Sequence, residues 1–142
     1  MLVELSIGDA YGAGFEYCGS RRFINEHNTV SGYVKHLWHK HKPGSYTDDT
    51  QMSIAIAELI VERKDWTPAN IASQFLDVFH RDKRGGYSKG FFQLLKTTRT
   101  AEEFLENIKP ESDKSGASMR AAPIGVYPSV KEVIERSTIQ AA

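Results

Sequence analysis

The stretch Thr47-Asp48-Asp49-Thr50-Gln51-Met52-Ser53-Ile54-Ala55-Ile56-Ala57-Glu58-Leu59-Ile60 decides the fold class of this chain. Met52, Ala55, Ile56, Leu59 and Ile60 recur at three- and four-residue spacing, which a helix gathers on one face. Glu58, Glu62 and Arg63 fall elsewhere on the wheel. Further along, Thr67 supplies an N-cap and Pro68 a first helical residue, since proline there forfeits no hydrogen bond. The stripe Ile71, Phe75, Val78 and Phe79 marks that helix's buried face, and Arg84-Gly85-Gly86 ends it in a turn.

A third helix is expected over 91–96. A fourth opens at Thr100, where Thr100 and Glu103 form a capping-box pattern ahead of Phe104, Leu105 and Ile108. Ser129 and Glu132 open the last one, which runs through Val133, Ile134 and Ile139. No period-two alternation lasts more than a few residues, so no strand is expected. The chain reads as all-α, and its length suits one domain.

A chain of 142 residues is long enough to bury about 68–70% of its unfolded surface. Eighteen basic and eighteen acidic residues cancel, so no overall field draws the protein to nucleic acid or membrane. An uncharged average still leaves room for a local patch. The single cysteine, Cys18, forms no disulfide within the chain, which fits a reducing compartment. The N-terminus lacks the basic and apolar regions of a signal peptide, so a cytoplasmic location is expected. The last residues stop inside a helical pattern, as a chain cut within a helix or a frayed natural end would.

Three segments could carry chemistry. In Tyr46-Thr47-Asp48-Asp49-Thr50, acidic residues suit a helix N-terminus, so simple capping is one reading. The other is a magnesium site, because capping employs one side chain and leaves the second aspartate over, while magnesium takes oxygen ligands. In Gly8-Asp9-Ala10-Tyr11-Gly12-Ala13-Gly14-Phe15-Glu16, three glycines disfavour a helix by about 0.8–1.0 kcal/mol each, so a loop or a close backbone approach is expected. Glu16 ends it, as either a site carboxylate or a solvated surface residue. In Ser112-Asp113-Lys114-Ser115-Gly116-Ala117-Ser118-Met119-Arg120, small residues before a helical run can cradle an anion with backbone N–H groups, or simply cap a helix. His36, His39 and His41, with Cys18, could be imagined around zinc. Lys35, Lys40 and Lys42 would repel a cation, and a mobile surface loop is expected instead.

Taken in order, these segments resemble the ADP-ribosylglycohydrolase family. Gly8-Asp9-Ala10-Tyr11-Gly12 leading to Glu16 matches its Gly-Asp-x-x-Gly-x-x-x-Glu segment, and Thr47-Asp48-Asp49-Thr50 its Thr-Asp-Asp-Thr signature. Gly86-Tyr87 matches a glycine-tyrosine turn. Ser115-Gly116-Ala117-Ser118-Met119-Arg120 before Ala122-Pro123-Ile124-Gly125 matches a small-residue loop ending in Met-Arg.

The resemblance implies an all-α bundle, of which residues 1–142 are the N-terminal part of a single domain, and a hydrolase acting on the glycosidic bond between ADP-ribose and a modified protein or other conjugate. It implies two Mg²⁺ ions (or Mn²⁺) on Thr47, Asp48, Asp49 and Glu16, with Asp48 or Glu16 as general base. Lys114, Ser115, Gly116 and Ala117 would hold the diphosphate, Gly86 would admit the ribose and Tyr87 would pack beside it. Ser115 stands where the family has asparagine, so one side-chain contact is shortened or lost. The family's Asp-x-Asp-Ser/Thr motif, from its C-terminal half, has no counterpart here. Glu16, Asp48 and Asp49 bring three negative charges against the four of two Mg²⁺ ions, so a half-built cage should bind weakly. Weak or absent turnover is therefore expected, with an exposed apolar face free for self-association or for a missing half. The alternatives are an inactive ADP-ribose or nucleotide-binding module and a helical interaction domain.

Overall fold

The computed structural model describes residues 1–109 and 114–142. These form α1 (Leu2–Gly12), α2 (Arg21–His27), α3 (Asp48–Val61), α4 (Pro68–Arg81), α5 (Lys89–Thr97), α6 (Ala101–Asn107), α7 (Gly116–Met119) and α8 (Val130–Ala141). A 3-10 turn at Ala122–Val126 precedes α8. No strand occurs among the described residues, as the absence of period-two patterning predicts.

α3 and α4 form an antiparallel hairpin at the centre. Met52, Ala55, Ile56 and Leu59 of α3 meet Ile71, Phe75, Leu76, Val78 and Phe79 of α4. Leu95, Phe104 and Ile124 close this core from α5, α6 and the 3-10 turn. Phe79 is fully buried, edge-on to Phe92 and Tyr87 at centroid distances of 5.5 and 5.7 Å. The expected apolar stripes of both helices are therefore the core. Leu105 and Ile134 instead face solvent. Ile134 continues an exposed stripe, Val126-Val130-Ile134, in which each member lies four residues after the last.

Local chemistry explains most helix ends. The hydroxyls of Thr67, Thr100 and Ser129 accept from the N–H groups of Asn70, Glu103 and Glu132 at 3.2 Å each, satisfying one orphan donor apiece. Arg63, with φ +54°, ends α3, and Lys64 N–H reaches back to the Leu59 carbonyl at 3.1 Å in a Schellman closure.

Two elements depart from the sequence reading. α1 is a helix through Gly8 and Gly12, and open space faces both glycines; the expected close approach falls at Gly14, where an added Cβ would lie 2.7 Å from the Val34 carbonyl oxygen. α2, capped by Ser20 accepting from Phe23 N–H at 3.3 Å, has too short an apolar pattern to be found by periodicity.

The start of α3 is held from outside itself. Thr47 caps none of α3's own N–H groups with its side chain. Asp9 of α1 does so instead. Its carboxylate accepts from Thr47 N–H (2.8 Å), Thr47 Oγ1 (2.6 Å), Thr50 N–H (3.2 Å) and Thr50 Oγ1 (2.6 Å). This pins α1 across the N-terminus of α3, where a negative charge also meets the positive end of the helix dipole.

Three stability outcomes follow, each readable by urea denaturation. Phe79→Ala should cost about 3–5 kcal/mol as a buried aromatic deletion, whereas Val61→Ala, at an exposed position, should stay within about 0.5 kcal/mol. Asp9→Ala should cost about 3 kcal/mol, because it strands the buried Thr47 and Thr50 donors of a charge-assisted network.

Candidate active site

Because Asp9 takes over the capping, the two aspartates that follow Thr47 are left for other work. Asp49 lines a cleft between α1 and α3 together with Thr47, Asp9 and Glu16. Gly8 and Gly12, one turn apart on α1, form part of the wall with Leu5, and Met119 closes the far side. The glycines that weaken α1 as a helix thus add no side chain of their own to this wall.

Asp48 turns to the other side of Thr47. Its backbone N–H donates to the Gly85 carbonyl at 3.0 Å, and its carboxylate packs on Gly86. Gly86 has φ +107°, and a Cβ added there would fall on Asp48 Oδ1. At Gly85 a Cβ would come within 2.6 Å of the His41 ring. The glycine pair is therefore required by the Asp48 carboxylate on one side and by a histidine on the other.

The electrostatics are unfavourable for carboxylates. Burial raises Asp48 to about 7, and the neighbouring Asp49, Glu16 and Asp9 add to the shift, against a lowering backbone hydrogen bond. Burial also raises Asp49, with Asp9 and Glu16 contributing. Among the described residues, however, no three Asp, Glu, His or Cys side chains converge closely enough to hold a metal ion by themselves.

Glu16 is exposed at the end of the turn that follows α1, and His36 fixes the backbone beneath it. His36 is 3% exposed. Its Nδ1 accepts from the N–H groups of Trp38 (3.0 Å) and His39 (2.8 Å). The proton therefore sits on Nε2, which donates to the Glu16 carbonyl at 2.6 Å. The expectation of a mobile loop missed this buried anchor, since a lone histidine in an aperiodic stretch carries no burial signal.

Gln51 was also hidden from the sequence. It is fully buried, donating to the Val78 carbonyl (3.3 Å) and the Asp82 carbonyl, while its Oε1 accepts from the Tyr87 hydroxyl at 2.7 Å. Burial raises the Tyr87 phenol strongly, and its ring packs among Phe79, Phe91 and Phe92. Tyr87 thus braces the Gly86 turn from behind, with its hydroxyl engaged inward.

The small-residue loop approaches α3 from the opposite side. Ser53 Oγ donates to the Met119 carbonyl at 3.2 Å. Gly116 and Ala117 begin α7, and the Ala117 carbonyl accepts from Gln140 Nε2 at 2.8 Å. Ser115 and Lys114 are exposed just before it; Ser112 and Asp113 lie outside the described residues. Arg120, lowered to about 10 by burial, stacks on Phe75 and binds Gln140 through Nε (2.5 Å) and a terminal nitrogen (2.6 Å). It ties α7 to α8.

A sequence profile of the ADP-ribosylglycohydrolase family matches residues 1–142. The chain is 30% identical over 136 residues to the ADP-ribosylarginine hydrolase Tri1 of Serratia proteamaculans, covering 89% of this chain and 35% of that one. It is 26% identical over 146 residues to the ADP-ribosylhydrolase ARH3 of Xenopus tropicalis, covering 94% and 40%. An uncharacterised protein of Archaeoglobus fulgidus is 27% identical over 140 residues, covering 95% and 44%. The chain thus spans less than half the length of each of these relatives. With the acidic α1–α3 cleft and a match that runs end to end, this chain belongs to the ADP-ribosylglycohydrolase family.

Proposed function

We propose that this chain supplies the N-terminal part of a divalent-cation-dependent hydrolase that cleaves the glycosidic bond between ADP-ribose and a protein side chain or related conjugate. The observation that carries this reading is the pair Asp48 and Asp49, both raised by burial and by other carboxylates. Buried like charges are costly unless something positive joins them. Oxygen donors are the type that Mg²⁺ or Mn²⁺ takes, and Asp48, Asp49, Thr47 and Glu16 are assigned to it, although no three acidic side chains of the described residues converge by themselves. A bound metal would supply charge stabilisation at an oxygen and orientation of the ribose and water.

The chain's own residues account for the remaining steps. Asp48, raised by burial to about 7, is assigned as the base that takes a proton from attacking water, since a base works best with a pKa near the working pH. Glu16, at the open edge of the cleft, is the alternative base. Asp49 offers negative charge toward the oxocarbenium-like carbon that glycoside cleavage develops. The start of α7, with Lys114, Ser115, Gly116 and Ala117, is assigned to the diphosphate.

A second reading, ADP-ribose binding without cleavage, is favoured by one observation: no three acidic or histidine side chains of the described residues converge on a metal position. Calorimetry with ADP-ribose, with and without Mg²⁺, separates the readings. Metal-dependent binding supports a hydrolase half-site, and metal-independent binding supports the binding module.

Asp48→Asn tests the electrostatic premise. It should raise the melting temperature of the metal-free chain and abolish any Mg²⁺-induced rise; a wild-type chain whose melting temperature ignores Mg²⁺ above neutral pH overturns the metal assignment. The pH dependence has a definite sign. Folded Asp48 keeps its proton to about pH 7, against an ordinary value of 3.8, so the folded state binds the extra proton between those limits. Metal-free stability should therefore fall as pH rises through that window. In Asp48→Asn, thermal scans across the same range should show a flatter profile.

A further inference from the structure

The segment joining α2 to α3 inverts the usual rule of burial. Its histidine, His36, is 3% exposed, while the adjacent Leu37 and Trp38 are 46% and 64% exposed. The segment is also tied down. His36 receives the N–H groups of Trp38 and His39 and donates to the Glu16 carbonyl. Gly44, at φ +78°, lets the Tyr33 ring lie against its backbone, with the nearest ring carbon 3.0 Å from where a Cβ would stand. A fixed turn therefore presents a tryptophan to solvent, where an unanchored loop could fold the indole back onto the protein.

The charge of this segment sets it apart from the rest of a neutral chain. Residues 27–47 contain Lys35, Lys40 and Lys42 and no aspartate or glutamate, and all three lysines are exposed. The nearby acid Asp82 is paired with Arg84 at 2.5 Å, and Arg84 covers the Tyr46 ring at 4.0 Å.

We infer that this turn is a docking surface for single-stranded nucleic acid, with Trp38 and Tyr33 offering ring faces to bases and Lys35, Lys40 and Lys42 meeting phosphates. Interleaved aromatic and basic side chains match a polyanion that carries flat apolar groups. An acidic protein would use the charge but has no systematic use for the exposed indole. The strand would run along the rim, because the carboxylates of the α1–α3 cleft repel phosphate. The inference does not rest on metal binding or hydrolysis and stands if either fails.

The test is fluorescence anisotropy of the full chain with a labelled oligothymidylate of about 20 nucleotides, longer than common single-strand footprints. A duplex of equal length and a poly-glutamate peptide serve as competitors. Binding should quench Trp38 emission and weaken with salt at a log–log slope of about −2, as three phosphate contacts on a single strand imply. Trp38→Ala should weaken it about tenfold, as loss of one base stack does, and so should Lys40→Glu/Lys42→Glu. Both variants alter exposed side chains, so unchanged melting temperatures would show intact folding. Absence of binding at low salt, equal affinity for the duplex or poly-glutamate, or indifference to Trp38→Ala would each overturn the inference.

Discussion

The carboxylate of Asp9 on the first turn of α3 is the interaction on which the site depends. It joins residues 38 and 41 positions apart through four hydrogen bonds. An ordinary N-cap serves its own helix from the residue just outside it. Here the cap comes from another helix, so one interaction closes α3, docks α1 against it and creates the cleft between them. α1 has little else to hold it there: Ala10 is its only buried residue. The site and this part of the fold are therefore the same interaction seen from two sides.

α3 serves as the hub because its faces have separate tasks. Met52, Ala55, Ile56 and Leu59 build the core with α4. Gln51 is buried on a polar path that braces the end of α4 and, through Tyr87, the Gly86 turn. Ser53 holds Met119 and with it the end of α7. Each approach to the cleft is therefore fixed by one turn of one helix, and a shift of that helix would disturb α1, the glycine turn and α7 together.

The α3–α4 hairpin and its core were legible in the sequence because an amphipathic period of that length has few competing interpretations. Thr67, Thr100 and Ser129 were legible as caps for the same local reason. The hidden features share a different property, which is dependence on partners distant in sequence. Asp9 carries no local sign that its carboxylate serves residues 47 and 50. Gln51 interrupts an apolar face, and only Tyr87, 36 residues on, explains it. Gly8 and Gly12 argued against a helix because propensity counts their cost, while the open cleft they border is invisible to it. The resemblance located the Thr-Asp-Asp-Thr block, but only the structure separates its two aspartates, with Asp49 in the cleft and Asp48 against Gly86.

The hydrogen-bond directions add a constraint on what the cleft can bind. Thr47 and Thr50 each have one hydroxyl proton, and both donate it to Asp9 at 2.6 Å. What remains on those oxygens is lone pairs, so each hydroxyl is fixed as an acceptor. Asp48 and Asp49, when ionised, are acceptors only. With both aspartates ionised, the side chains of the first turn of α3 therefore gather oxygen lone pairs, while Asp9 takes the Thr50 N–H and the Gly85 carbonyl takes that of Asp48. A helix N-terminus, ordinarily an anion site, is converted here into a region complementary to positive charge. The helix dipole offsets only about 0.3–1 kcal/mol of the carboxylate burden near the surface, and burial of Asp48 works against it. Under the proposed function, a cation, or the positive charge that develops on a glycosidic carbon as its bond breaks, is the partner that would complement this arrangement.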